Sequence, residues 1–165
     1  MANFVPVDEF DLVIFGGTGD LAMRKLLPAL YHRERDGQIT GESRIIAASR
    51  GDLGRDEYLG LVEEALRENL VSDDFEDAEW AKLRERIHYV QADAFDHDNW
   101  GALVELLAGA EDRIRVAYLA TAPSLFGTIA EGLKKNGLVT PTRSLPHNKR
   151  RSGSPGESPR RSTST

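Results

Sequence analysis

Short runs rich in apolar and β-branched residues recur along the chain at 11–15, 44–49, 87–92 and 113–120, and each reads as a strand. Between them the apolar spacing changes to three and four. Leu21, Leu26, Leu27 and Leu30 form one side of a helix that begins near Asp20, whose carboxylate suits a helix N-terminus. Pro28 lies inside it and predicts a kink, because proline removes one helical hydrogen bond. Asp36 and Gly37 close that helix. Tyr58, Leu61, Val62, Ala65 and Leu66 give residues 55–69 an amphipathic face. A more polar helix is expected over 75–86. Trp100, Leu103, Val104 and Leu107 mark another over 99–107, and a last one spans 125–135 before Asn136-Gly137. Strands and helices alternate, so the fold class is α/β with a doubly wound, mostly parallel sheet.

The first strand runs straight into Gly16, Gly17 and Gly19, and Gly17, Gly19 and Ala22 fit the spacing G-x-G-x-x-A. A glycine loop between a strand and a helix is how a Rossmann-like dinucleotide-binding unit opens. Small residues let the backbone approach a pyrophosphate, and N–H groups at the helix start face the anion. Gly16, Gly17, Thr18, Gly19, Asp20 and Leu21 are therefore the candidate phosphate loop. The bland alternative is a tight turn that binds nothing.

Arg50 stands at the end of the second strand. An NAD site places an acid there for the ribose hydroxyls, whereas an arginine suits the 2′-phosphate of NADP. Ser49 offers one more hydrogen bond, and the nearby Asp52 opposes a phosphate. A solvated surface arginine is the competing reading. Asp93 and Ala94 end the third strand, and Thr121, Ala122 and Pro123 end the fourth, all on the edge where open α/β sheets bind ligands.

Three segments carry a family resemblance. Gly16-Gly-Thr-Gly-Asp-Leu-Ala22 followed by Arg24-Lys-Leu-Leu-Pro-Ala-Leu-Tyr31 resembles the start of glucose-6-phosphate dehydrogenase, which reads G-x-x-G-D-L-A, a basic pair, then L-x-P-x-L-Y. Arg44-Ile-Ile-Ala-Ala-Ser-Arg50 resembles that family's second strand. Tyr118-Leu-Ala-Thr-Ala-Pro-Ser-Leu-Phe126 resembles its Y-x-A-x-P-P-x-x-F segment, with Ala122 replacing the first proline. The resemblance covers residues 9 to 142. It implies an NADP-dependent oxidoreductase that converts glucose 6-phosphate to 6-phosphogluconolactone in the pentose phosphate pathway. It implies cofactor contacts at Asp93, Ala94, Ala122 and Pro123, and a sugar-phosphate contact at Lys25. Without it, Lys25 reads equally well as an exposed helix lysine. The full-length family is homo-oligomeric.

The resemblance also implies an absence. The family's catalytic base is a histidine in an R-I-D-H-Y-x-G-K-E segment, and none of His32, His88, His97 or His147 has that context. His32 and His97 read as exposed, His88 as a strand residue and His147 as part of a tail. No catalytic residue is assigned within this chain, and no metal-ligand spacing occurs.

Composition limits the rest. Of 165 residues 40% are hydrophobic, enough for one domain, and no cysteine is present for a disulfide or thiolate site. No apolar run suggests a membrane span or signal peptide, so a cytoplasmic enzyme acting on a small molecule is expected. The net charge of −6 is unevenly spread. Arg143, Lys149, Arg150, Arg151, Arg160 and Arg161 face one acid, Glu157, beyond Thr142. That stretch is rich in serine and proline, has Leu145 as its one aliphatic residue, and reads as a disordered tail. Two regions are thus expected: a partial NADP-binding domain at 1–142, its sheet incomplete on the C-terminal side, and a basic tail at 143–165.

The resembling family continues after this point with a strand R-V-V-x-E-K-P-x-G, of which Arg143 alone matches. A break inside a core strand favours a shifted reading frame over a native tail or a vector-derived segment. Fourth-strand residues are then left at a sheet edge. Nucleic-acid binding by the tail is disfavoured, because no aromatic residue or folded module accompanies the arginines. A stand-alone NADP-binding module without catalysis is the main rival. A short-chain reductase would need a Tyr-x-x-x-Lys pair near residue 150, which is missing.

Overall fold

The computed structural model describes residues 9–71, 74–110 and 113–139. The expected tail at 143–165 and His147 lie outside them.

Four strands form one parallel sheet: β1 (Phe10–Phe15), β2 (Arg44–Ser49), β3 (Ile87–Gln91) and β4 (Ile114–Leu119). Their spatial order is β3-β2-β1-β4. Leu12 pairs with Ile45 on one side and with Val116 on the other. The helices are α1 (Leu27–Arg35), α2 (Arg55–Asn69), α3 (Asp77–Arg86), α4 (Gly101–Leu107) and α5 (Phe126–Lys135).

The near-continuous apolar runs of β1 and β2 follow from burial on both faces. Leu12, Ile14, Ile45, Ala47 and Ile87 point into a cluster with residues of α1, α2 and α3. Val13, Phe15, Ile46, Ala48 and Val90 point the other way, into a cluster with residues of α4 and α5. The chain therefore winds outward from β1 to β3, then crosses back to place β4 on the far side of β1. This reversal opens a crevice between the C-terminal ends of β1 and β4. β4 is the outer strand of the described sheet, with Ile114, Val116 and Tyr118 exposed.

Three local expectations are adjusted by packing. The Pro28 kink takes the form of a π turn over Ala22–Leu26, where the Leu27 N–H reaches the Ala22 carbonyl. The widened turn ends just before Pro28, which then sits in the first turn of α1. The helix expected over 75–86 starts at Asp77, leaving Phe75 outside. The Tyr31 hydroxyl donates to the Asp74 carbonyl (2.8 Å) and accepts from the Glu76 N–H (2.8 Å), which holds this backbone out of the helix. Phe75 instead stacks on Tyr31 with ring centroids 6.0 Å apart. The helix expected over 99–107 is split into a 3₁₀ turn at His97–Asn99 and α4. Trp100, fully buried between them, donates its indole N–H to the Asp93 carbonyl (2.7 Å).

Asp11 is the buried acid of the sheet. Arg44 grips its carboxylate with two bonds of 2.8 and 2.9 Å, and Arg113 adds a third contact at 3.3 Å. Burial pushes the Asp11 carboxyl up, but the two guanidiniums outweigh it and hold it below the ordinary carboxylate range. His88 is depressed by burial and by the nearby Arg44 and Arg55. Both groups bind protons more readily in the unfolded chain, so stability rises with pH through each window. The urea midpoint is expected to fall below about pH 6.5 as unfolded His88 protonates, and again below about pH 4 as Asp11 does. Asp11→Asn is expected to flatten the lower limb alone. An unchanged lower limb in that variant would overturn the assignment.

Candidate functional site

A cleft of about 370 Å³ opens at the C-terminal edge of the sheet. It is lined by Gly16, Thr18 and Gly19 after β1, Ser49 and Arg50 after β2, Asp93, Ala94 and Phe95 after β3, and Thr121 and Ala122 after β4. Of the anticipated residues, Gly16, Thr18, Gly19, Arg50, Asp93, Ala94 and Ala122 line this crevice at the switch in strand order, whereas Gly17, Asp20, Leu21, Lys25 and Pro123 are not part of its lining.

The glycine loop has a different division of labour from the one expected. Gly16 has φ +80°, and a Cβ there would lie 2.7 Å from the Ala120 carbonyl oxygen. A Cβ on Gly17 would lie 2.7 Å from the Ala47 methyl group. These two glycines serve the turn itself. Their N–H groups both donate to the Ala48 carbonyl, at 2.9 and 3.2 Å, and so are spent within the fold. Gly19 donates to the Gly16 carbonyl (2.9 Å). The N–H groups of Thr18, Asp20 and Leu21 have no hydrogen-bond partner among the described residues. They open the helical segment and are the groups left for an anion. The loop donors left open are thus those of Thr18, Asp20 and Leu21, while those of Gly16, Gly17 and Gly19 are used within the fold. Gly17 is buried away from the cleft, and Tyr58 donates its hydroxyl to the Gly17 carbonyl (2.9 Å). Burial raises the Tyr58 phenol, and Tyr89 adds to the effect, so Tyr58 stays protonated.

Arg50 is exposed, and its guanidinium has no ionic or hydrogen-bond partner among the described residues. It contrasts with Arg44, Arg86 and Arg113, which are committed to Asp11, Glu34 and Glu42. Asp52 is exposed nearby in sequence. Ser49 is already engaged with the Tyr89 hydroxyl (2.6 Å), so its hydrogen-bonding capacity is shared with the fold.

Asp93 takes a structural part. Its Oδ1 accepts the Phe95 N–H (2.9 Å), closing the turn after β3. Phe95 itself is 71% exposed at the cleft, a residue that strand-end reasoning passed over because it follows the two positions singled out. Ala122 lines the cleft, and Pro123, exposed, begins a 3₁₀ turn in which the Leu125 N–H reaches the Ala122 carbonyl (2.9 Å). Asp20 and Leu21 are exposed beside the loop, and Asp20 pairs with Arg24 across one turn (3.3 Å). Lys25 lies in the π turn, exposed and unpaired among the described residues.

None of the described histidines lines the cleft. His32 and His97 are also less open than expected. The His32 Nδ1 and His97 Nε2 are both buried, and the His97 ring packs edge-on against Trp100 at 5.6 Å. No group of three or more potential metal ligands occurs among the described residues. No helix among them is long and apolar enough to cross a membrane.

Known proteins agree with this architecture. The family described as "Glucose-6-phosphate dehydrogenase, NAD binding domain" matches residues 13–150. Glucose-6-phosphate 1-dehydrogenase of Rhizobium meliloti (strain 1021) is 48% identical over 139 residues, covering 84% of this chain. The Gluconobacter oxydans (strain 621H) enzyme of the same name is 47% identical over 144 residues, covering 86%. The chain spans 28% and 29% of those two relatives. Among solved structures, glucose-6-phosphate 1-dehydrogenase from Mycobacterium avium superposes with a TM-score of 0.72 at 34% identity, covering 80% of this chain and 28% of that one. A glucose-6-phosphate dehydrogenase in complex with its substrate glucose-6-phosphate gives 0.70 at 26% identity, covering 82% and 29%. A glycine loop at the β1–β4 switch, four parallel strands in this order and a family match across most of the sequence lead to one statement: the chain belongs to the glucose-6-phosphate dehydrogenase family and carries its NAD-binding domain.

Proposed function

We propose that this chain holds NADP in the cleft, as the cofactor-binding part of an enzyme that oxidises glucose 6-phosphate to 6-phosphogluconolactone. The observation that carries this reading is Arg50, unpaired among the described residues and lining the same cleft as Thr18, whose N–H, like those of Asp20 and Leu21, has no partner among them. The backbone donors suit the pyrophosphate, and Gly19 leaves room for its approach. Arg50 suits the 2′-phosphate, because a planar guanidinium meets phosphate oxygens with two parallel donors. Bound there, the cofactor supplies a hydride acceptor. Asp93, Ala94 and Ala122 frame the remaining walls, Pro123 follows at the start of the 3₁₀ turn, and Lys25 supplies one cation for the sugar phosphate.

No histidine among the described residues reaches the cleft, and the Asp93 carboxylate already caps its own turn. That observation favours a second reading for the isolated chain, a module that binds NADP and does no chemistry.

Cofactor choice tests the first reading. Charge-assisted hydrogen bonds contribute about 1.5–3 kcal/mol, so Arg50→Ala is expected to weaken NADP about tenfold to hundredfold while NAD affinity stays the same. Titration of tryptophan fluorescence or calorimetry measures both. Equal losses for the two cofactors would sink the assignment of Arg50 to the 2′-phosphate.

A further inference from the structure

Tyr89 sits on β3, across the sheet edge from Arg50, and its phenol closes a ring of hydrogen bonds around the turn that carries that arginine. The Ser49 and Tyr89 hydroxyls lie 2.6 Å apart, and Tyr89 also reaches the Gly51 carbonyl. The donors have one consistent sense. A carbonyl only accepts, so the Tyr89 proton goes to Gly51. The Ser49 proton then goes to Tyr89, and the Gly51 N–H points back at the Ser49 Oγ, at a long 3.4 Å. Residues 49 and 51 are thus held on both flanks of Arg50. The Gln91 side chain secures the Arg50 carbonyl itself (3.0 Å). Behind the ring, Tyr89 stacks on Tyr58 with centroids 5.0 Å apart, and Tyr58 holds the Gly17 carbonyl of the phosphate loop (2.9 Å). Neither tyrosine lines the cleft.

We infer that Tyr89 is a positioning residue for recognition of the 2′-phosphate, acting through the Ser49–Gly51 turn to hold Arg50 at the cleft. The inference rests on the proposed role of Arg50. An exposed arginine on a short turn samples many directions, and affinity falls in proportion to the fraction that faces the ligand. The hydroxyl ring fixes the backbone on either side of Arg50, which narrows that choice before the ligand arrives. Because the hydroxyls donate in sequence around the ring, removing one weakens the others. The tyrosine pair continues this frame to Gly17, so the loop for the pyrophosphate and the turn for the 2′-phosphate share one support.

The test uses the full chain with 2′,5′-ADP and 5′-AMP as probes, which differ only in the 2′-phosphate. Tyr89→Phe removes the hydroxyl and keeps the ring stacked on Tyr58. It is expected to weaken 2′,5′-ADP about threefold to tenfold and to leave 5′-AMP unchanged. In an Arg50→Ala background the same change is expected to have no effect on either probe. Ser49→Ala opens the ring from its other side and is expected to repeat the selective loss. Circular dichroism and thermal melting check the fold; if Tyr89→Phe does not fold, Ser49→Ala decides, made also in the Arg50→Ala background, where a loss that persists marks a direct Ser49 contact and overturns the inference. Equal loss for both probes, or a loss that persists without Arg50, would mean a merely structural tyrosine and overturn the inference. An inert Tyr89→Phe beside a damaging Arg50→Ala would overturn it too, while leaving the Arg50 reading intact. If Arg50→Ala itself spares the preference for 2′,5′-ADP, both readings fall together.

Discussion

Gly19→Val is expected to abolish binding of NADP and NAD alike, with a loss beyond about hundredfold, because several charge-assisted bonds of about 1.5–3 kcal/mol each depend on close backbone approach. The choice among the three glycines follows from what each side chain would meet. At Gly16 a Cβ would collide with the Ala120 carbonyl in a left-handed backbone, and at Gly17 it would collide with Ala47. Substitution at either position damages the turn and says little about ligand binding. Gly19 is different. Its Cβ would lie 3.1 Å from the Gly16 carbonyl oxygen and 3.7 Å from that of Ala120, a tightness that shifts of a few tenths of an ångström relieve. Gly19 also lines the cleft beside Thr18. The isopropyl group therefore fills ligand space while the strand-to-helix turn survives. Circular dichroism is expected to match the parent, and calorimetry is expected to detect neither dinucleotide. Binding that survived in a folded Gly19→Val protein would place the phosphate loop elsewhere.

The isolated chain is expected to form no NADPH from glucose 6-phosphate and NADP. Hydride leaves the sugar carbon as its hydroxyl proton is taken, and a positioned base contributes about 10²–10⁴-fold to such steps. The cleft holds no histidine among the described residues, and its carboxylate at Asp93 accepts the Phe95 N–H. His88 is held neutral by burial and by Arg44 and Arg55, but it lies on β3, outside the cleft lining. The sugar phosphate has a single candidate cation, Lys25, where a dianion calls for several donors. The measurement is absorbance of NADPH, on protein made in a host lacking its own dehydrogenase. Sustained turnover proportional to this protein would overturn the expectation and direct attention to His32, His88 and His97 as bases.

Much of the cleft was legible from local signals. A strand followed by a glycine cluster and a helix, and an arginine where a second strand ends, are recognisable because they depend on neighbours in sequence. Those marks led to Gly16, Gly19 and Arg50, and the third and fourth strand ends to Asp93, Ala94 and Ala122; all six line the same cleft, whereas Gly17, Asp20, Leu21 and Pro123 do not. Tyr58 and Tyr89 were not legible as parts of a shared frame. Each reads as an ordinary core aromatic, and only their stacking across α2 and β3 joins Gly17 to Gly51. Asp11 gave no sign of its clamp either, since Arg44 and Arg113 come from distant points of the chain.

Hydrophobic period and glycine placement were enough to establish alternating strands and helices, the glycine turn after the first strand and the arginine at the second strand's tip. These properties arise within a few residues and survive in any context that buries the apolar faces. Strand order was decided by tertiary structure, because pairing β4 against β1 is a long-range choice that no local period encodes. So was the use of each backbone donor in the loop. Gly16 and Gly17 lost their N–H groups to Ala48 of the neighbouring β2, and those of Thr18, Asp20 and Leu21 have no partner among the described residues. Packing likewise halted α3 at Asp77, where the Tyr31 hydroxyl claimed the preceding backbone. A hydrogen bond has one proton to give, and which acceptor takes it depends on what the fold brings near.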